Sequence, residues 1–315
     1  MVLRRLKRYV PRSVARMMKR LLGLFRKPEL SYLELHLTDH CNLNCKGCGH
    51  FSPLASPHYA DFQQYEEDLR RLRQLFRNIR RIRLMGGEPL LRPEVLRKGM
   101  EIFKENTITT NGTLDLIDFP GCIYVVSLDG PPDINDPVRG EGAFAKVMET
   151  LSRVPENFSS TVMVQCVVTK KNEDCLEELT NLLMPTRAEG LTFSFYVPQK
   201  NDTTELTWGS LELRDIAVQE VMRLKDKFPH FIWNSGRSLE LTLSQNALKV
   251  TRDCPMLTYA IPLYLEADQF VSPFCCYGND VDCDLCGAWS VFAVAEKIER
   301  SQTGNLSNIQ DKVKK

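Results

Sequence analysis

The chain has 315 residues and a mass of 36.1 kDa, with 43% hydrophobic and 26% charged residues. These globular proportions exclude a disordered, collagen-like or fibrous chain, and no run of 18 or more apolar residues offers a membrane span. The net charge of +1 conceals an asymmetry: residues 1–28 hold ten Lys and Arg and no acid, which leaves the rest of the chain with 31 bases against 40 acids.

In chain order, the basic leader comes first. Leu3, Leu6, Val10, Val14, Met17, Met18, Leu21, Leu22 and Phe25 recur at helical spacing between the bases. That pattern predicts a basic amphipathic helix over 1–28, suited to an anionic membrane surface. Docking on the body of the protein is the next alternative and a nucleic-acid arm the weakest. Strand-like and helical segments then alternate. Tyr32–Thr38 reads as a strand, Asp61–Arg77 as a helix, Arg81–Met85 as a strand and Arg92–Lys104 as a helix. A short strand covers 106–110, and Cys122–Leu128 is an apolar strand. Gly142–Arg153 is helical, Thr161–Thr169 a strand, Glu173–Leu183 a helix, Leu191–Val197 a strand and Glu212–Phe228 a helix. The run of arginines from Arg70 to Arg83 follows Glu66, Glu67 and Asp68 and reads as a solvated, charge-paired face.

About six β-α units over 31–228 imply an α/β fold with a parallel sheet, either open and doubly wound or a partial barrel. Functional residues then gather where strands end. The pattern weakens after Phe228 and cysteines return. The organisation expected is a leader at 1–28, an α/β body at 29–230, a cysteine-rich module at 231–300 and a polar, loose tail at 301–315.

The eleven cysteines are unevenly placed. An odd count in tight clusters, with no secretory signal, points to a reducing compartment such as the cytoplasm and to metal or catalysis rather than disulfides. Cys122 and Cys166 fall in apolar strands and read as core residues. Cys41, Cys45 and Cys48, spaced C-x3-C-x2-C, follow the first strand. With His40 or His50 they could form a Cys3His zinc site. Alternatively, three thiolates on a four-iron cluster leave one iron open to a substrate.

The company of the triad narrows this. Gly86-Gly87-Glu88-Pro89 follows the second strand, Thr110-Asn111-Gly112 the third, and Ser127-Leu128-Asp129-Gly130 ends the fourth. This combination resembles the radical S-adenosylmethionine (radical SAM) superfamily over about residues 31–200. The resemblance implies a partial (β/α)6 TIM-like barrel in which Cys41, Cys45 and Cys48 hold a [4Fe-4S] cluster and S-adenosylmethionine chelates its open iron. Gly86 and Gly87 would contact the methionine amino group through the backbone, with Glu88 nearby. Asn111, Ser127 and Asp129 would lie near the methionine and ribose, and Val167 and the strand around Tyr196 near the adenine. Reductive cleavage of the sulfonium would yield a 5′-deoxyadenosyl radical, with electrons from a donor such as flavodoxin or ferredoxin. Gly47 departs from the aromatic often found before the third cysteine.

The second set is Cys254, Cys275, Cys276, Cys283 and Cys286. Its spacing alone suits a zinc ribbon. The resemblance extends to the auxiliary module (SPASM/twitch-like) of radical SAM enzymes, which implies a second [4Fe-4S] on Cys254, Cys275, Cys283 and Cys286, with Cys276 as substitute. The layout resembles the subgroup that modifies hopanoids and archaeal lipids, so a lipid or isoprenoid-type substrate at the membrane surface is the expectation. A peptide or cofactor maturase is the alternative, and a non-catalytic zinc protein the alternative of another class. No catalytic acid, base or hydrogen donor stands out among Tyr196, Asp129, His50, Tyr264 and Cys276.

Overall fold

A computed structural model describes residues 32–38, 40–46, 48, 62–77, 79, 81–266, 269–271 and 281–313. The leader at 1–28, His50, Gly47, Cys275 and Cys276 lie outside the described residues.

The alternation predicted from sequence is present. The first half runs β1 (Tyr32–His36), α1 (Phe62–Leu75), β2 (Arg81–Met85), α2 (Pro93–Ile102), β3 (Glu105–Thr110), β4 (Ile123–Ser127), α3 (Pro132–Arg139) and α4 (Ala143–Arg153). It continues with β5 (Thr161–Val168), α5 (Leu176–Leu183), β6 (Gly190–Phe195) and α6 (Leu211–Lys227). The expected helix at Glu173 opens as a 3-10 turn, Glu173–Cys175, before α5. Helix α3 was not anticipated. Its Pro132 occupies the first helical position, where a missing N–H costs nothing, and Pro137 lies inside the helix.

β1 to β6 pair in parallel in sequence order, an open partial barrel. Alternation gives the sheet two unlike faces. Leu33, Leu35, Ile82, Leu84, Ile108, Tyr124 and Val126 join one core with Leu69 and Leu72 of α1, Val95 and Leu96 of α2, and Val147 and Leu151 of α4. The opposite, inner face is mixed: Met85, Ile123, Val125, Met163 and Val167 lie on it among polar side chains. Glu34 pairs in register with Arg83 and Arg83 with Thr107; further along, Ser127 pairs with Gln165 and Gln165 with Thr192. Glu34 is buried, and that burial pushes its carboxyl above the ordinary range against the opposing pull of Arg83.

The sheet does not stop at the expected boundary of 230. After α7 (Gly236–Thr242), α8 (Ser244–Arg252) and α9 (Met256–Tyr259), strand β7 (Ala260–Glu266) pairs in parallel with β1, Ala260–Tyr264 against Tyr32–His36. β8 (Gln269–Val271) then adds antiparallel to β7. The described strands form one sheet in the order β6-β5-β4-β3-β2-β1-β7-β8. The final helix α10 (Trp289–Val313) runs through the segment from Ser301 that was expected to be loose. No described helix is long and apolar enough to cross a membrane.

Candidate functional site

The strands are parallel, so their C-terminal ends share one rim, and the loops that leave β1 to β4 are laced together there. The Leu37 N–H donates to Met85 O at 2.7 Å, Gly87 N–H to Thr38 O at 2.6 Å and Glu88 N–H to His40 O at 2.8 Å. The chain entering the cysteine triad therefore lies against the Gly-Gly-Glu-Pro loop. Gly86 has φ +137°, and a Cβ there would stand 2.5 Å from Thr38 O, so only glycine permits the approach.

Glu88 is wholly buried and is structural in its contacts. Its carboxylate accepts from Leu90 N–H at 3.0 Å, Thr110 Oγ1 at 2.8 Å and Asn111 N–H at 2.7 Å. Burial raises its pKa and the three donors pull it back only in part. It thereby sets Asn111, whose amide Nδ2 donates to Asn42 Oδ1 at 2.8 Å and reaches Cys41 Sγ at 3.7 Å. Asn111 thus stands beside Cys41, and Glu88 acts as its support.

On the other flank, Asp129 accepts from Val167 N–H at 2.8 Å and forms an ion pair with Arg139 Nε at 2.7 Å. Two of the expected cofactor-site residues, Asp129 and Val167, are therefore in direct contact. Ser127 lies on the inner face opposite Gln165. Tyr196 is turned aside, its hydroxyl donating to Asp202 Oδ2 at 2.9 Å. The sequence did not single out Arg139. Burial pulls its guanidinium down, and the Asp129 carboxylate more than reverses this, with Cys45 assisting. Arg139 O accepts from Cys45 Sγ at 3.7 Å, and Val138 O from Lys46 N–H at 2.8 Å, so α3 fixes the middle of the triad and brings a cation to it.

Cys45 senses Cys41 and Cys48 electrostatically, and Cys41 senses Cys48. Burial raises both thiols, Cys45 to about 11, while Arg139 pulls Cys45 back. Among the described residues no three Cys, His, Asp or Glu side chains converge tightly enough to hold a single metal ion. A four-iron cluster does not require that, since each thiolate takes a different iron. Three soft donors on one loop, an amide at one thiol and a buried arginine at another suit such a cluster. Cys122 and Cys166 are buried in the core, as expected.

In the C-terminal region Cys254 and Cys286 pack on the same small apolar cluster, built around Leu241, Ala247, Val291 and Phe292. The Cys283–Cys286 knuckle is docked on the end of β6. Phe195 N–H donates to Gly287 O at 2.9 Å, Asp282 N–H to Pro198 O at 2.8 Å and Trp289 N–H to Ser194 Oγ at 3.2 Å.

Residues 35–183 match the sequence model of the Radical SAM superfamily. This segment belongs to the radical SAM superfamily. The bovine (Bos taurus) molybdenum cofactor biosynthesis protein 1 is 34% identical over 58% of this chain and 33% of its own length. The chain thus spans about a third of that relative. The GTP 3′,8-cyclase of Petrotoga mobilis is 29% identical over 86% of this chain and 90% of its own. Among solved structures, native anSMEcpe with bound AdoMet shares the fold at a TM-score of 0.55 and 19% identity, over 69% of this chain and 68% of that one. Streptococcus suis SuiB bound to its precursor peptide SuiA does so at 0.58 and 16%, over 79% and 61%. Gly86, Asn111 and the Asp129–Arg139 pair all lie within the matched segment. These relatives do not include lipid-modifying proteins, and nothing in them supports the expected lipid substrate or membrane association.

Proposed function

We propose that the chain is a radical SAM enzyme acting on a polar substrate of the cofactor-precursor type, a nucleotide above all. The observation that carries this is the inner face of the sheet. Its rows present Glu34, Arg83 and Thr107, then Ser127, Gln165 and Thr192, interleaved with Val125, Met163 and Val167, and a hydrocarbon chain laid there would desolvate these polar groups without hydrogen-bonding them. The GTP 3′,8-cyclase of Petrotoga mobilis, matched along nearly its whole length, favours the same substrate class. The zinc-only alternative sits poorly with a radical SAM domain.

In this reading Cys41, Cys45 and Cys48 hold the [4Fe-4S] cluster, and Asn111, Ser127, Asp129 and Val167 line the bed of S-adenosylmethionine. The N–H groups of Gly87 and Glu88 are engaged by Thr38 O and His40 O, so the glycine carbonyls are the acceptors this loop offers to an ammonium group. When bound, cluster and S-adenosylmethionine supply the one-electron cleavage that generates an organic radical. The chain contributes position and the exclusion of water. Cys254, Cys275, Cys283 and Cys286, with Cys276 as substitute, hold a second [4Fe-4S], and a flavodoxin or ferredoxin delivers electrons.

The test is substrate-stimulated formation of 5′-deoxyadenosine by reduced, iron-reconstituted protein. Guanosine and adenosine triphosphates and isoprenoid lipid vesicles are supplied in parallel. Stimulation by a nucleotide and none by vesicles is expected. Stimulation by vesicles alone would return the lipid reading.

A further inference from the structure

Arg214 lies in the first turn of α6 with 1% of its surface exposed. Its position is doubly unfavourable. Helix N-termini favour negative charge, and a buried guanidinium without an anion is costly. Its hydrogen bonds go to carbonyls alone: Nη1 donates to Leu285 O at 3.2 Å and Cys286 O at 3.0 Å, and Nη2 to Thr242 O at 2.7 Å. The buried Nε has no acceptor among the described residues. The adjacent Asp215 contributes its charge at a distance but spends its hydrogen bonds elsewhere, accepting from the Ser244 N–H and hydroxyl. The other neighbour is the Phe195 ring, whose centroid is 5.8 Å from the guanidinium carbon.

A buried cation of this kind needs an anion. Beyond the Asp215 carboxylate, the groups among the described residues around it that can become anionic are thiols, and Cys286 is the one whose charge would act on it. Two of its three acceptors belong to the Cys283–Cys286 knuckle, and Cys254 shares the apolar cluster of Cys286. Thiols are neutral while protonated, but metal ligation removes the proton. Four thiolates around either a zinc ion or an oxidised four-iron cluster carry a net charge of about −2. We propose that Arg214 is the positioning residue and counter-charge of a metal–thiolate centre built from the C-terminal cysteines. Through the two knuckle carbonyls it presents Cys283 and Cys286 at the end of β6, and its charge offsets that of the loaded centre. The inference rests on the reading of these cysteines as metal ligands.

The test uses the full chain with Cys41, Cys45 and Cys48 replaced by alanine, so that the C-terminal centre is read alone. Residue 214 is Arg, Gln, Met or Lys, and each protein is melted before and after reconstitution with iron and sulfide, with zinc alone in parallel. Comparing each variant with and without metal cancels the carbonyl bonds that both forms lose. The metal-induced rise in melting temperature should fall by about half or more in Arg214→Gln and Arg214→Met and recover in Arg214→Lys. Should Arg214→Gln fail to fold, Arg214→Met carries the neutral comparison. Equal rises in all variants would overturn the counter-charge. So would equal losses in Lys and the neutral variants, which would reduce Arg214 to a carbonyl clamp. Failure of the Arg214 protein itself to take up metal would instead bring down the metal-ligand reading, and this inference with it.

Discussion

Glu88 joins two loops through one carboxylate. Leu90, Thr110 and Asn111 all donate to it inside the protein, and the Asn111 amide then stands at Cys41. Glu88→Ala strands these donors without water, so a loss of about 2–3 kcal/mol in urea denaturation is expected, together with weaker S-adenosylmethionine binding by calorimetry. Glu34 offers a test in pH. Its folded pKa is raised, chiefly by burial and despite Arg83, so the native state holds the proton more tightly than the unfolded chain. The resulting stability is full below the ordinary carboxylate range and is lost as pH rises through the raised folded value. Glu34→Gln should flatten the fall in stability above that range, measured by denaturation at successive pH values. The sequence marked Asn111, Asp129 and the first triad because short motifs travel with strand ends. It did not mark Arg139 or Arg214, because a charged residue in a helix reads as solvated until the packing around it is known.

At the scale of elements, the site depends on loops touching across strands. The chain leaving β1 shares one backbone hydrogen bond with the end of β2 and two with the Gly-Gly-Glu-Pro loop, and the C-terminal knuckle grips β6 through Gly287. A Cβ on Gly287 would stand 2.5 Å from Phe195 Cβ and 2.8 Å from Phe195 O. Gly287→Ala should therefore lift the knuckle from the sheet. Iron analysis should show loss of metal at the C-terminal cysteines, with the first cluster and its S-adenosylmethionine cleavage retained. Elements β1 to β6 were legible because apolar runs of strand length alternate with helical periodicity. β7 was not, for two reasons: Pro262 sits within it, and its partner β1 lies at the far end of the chain. Pairing at such distance leaves no mark in a local pattern.

The whole molecule is more continuous than its cysteine clusters suggest. The region after 230 returns β7 to the sheet beside β1, the strand that leads into Cys41. A chain ended at 230 would leave the β1 edge unpaired. Such a fragment is expected to aggregate or to be cleaved rapidly by protease, and to hold less than the full first cluster by iron analysis, where a separable body would keep it. The charge asymmetry also takes on meaning at this scale. The acidic remainder contains the described fold, and the ten bases of residues 1–28 lie outside it. The central claim is that the rim of β1 to β4 is a radical SAM site, and one measurement reaches it directly. Anaerobically reconstituted protein is reduced with S-adenosylmethionine and 5′-deoxyadenosine is quantified, beside the Cys41→Ala, Cys45→Ala, Cys48→Ala protein. Formation by the first and none by the second is the predicted result. No 5′-deoxyadenosine from the native chain, or equal amounts from both, would contradict the account.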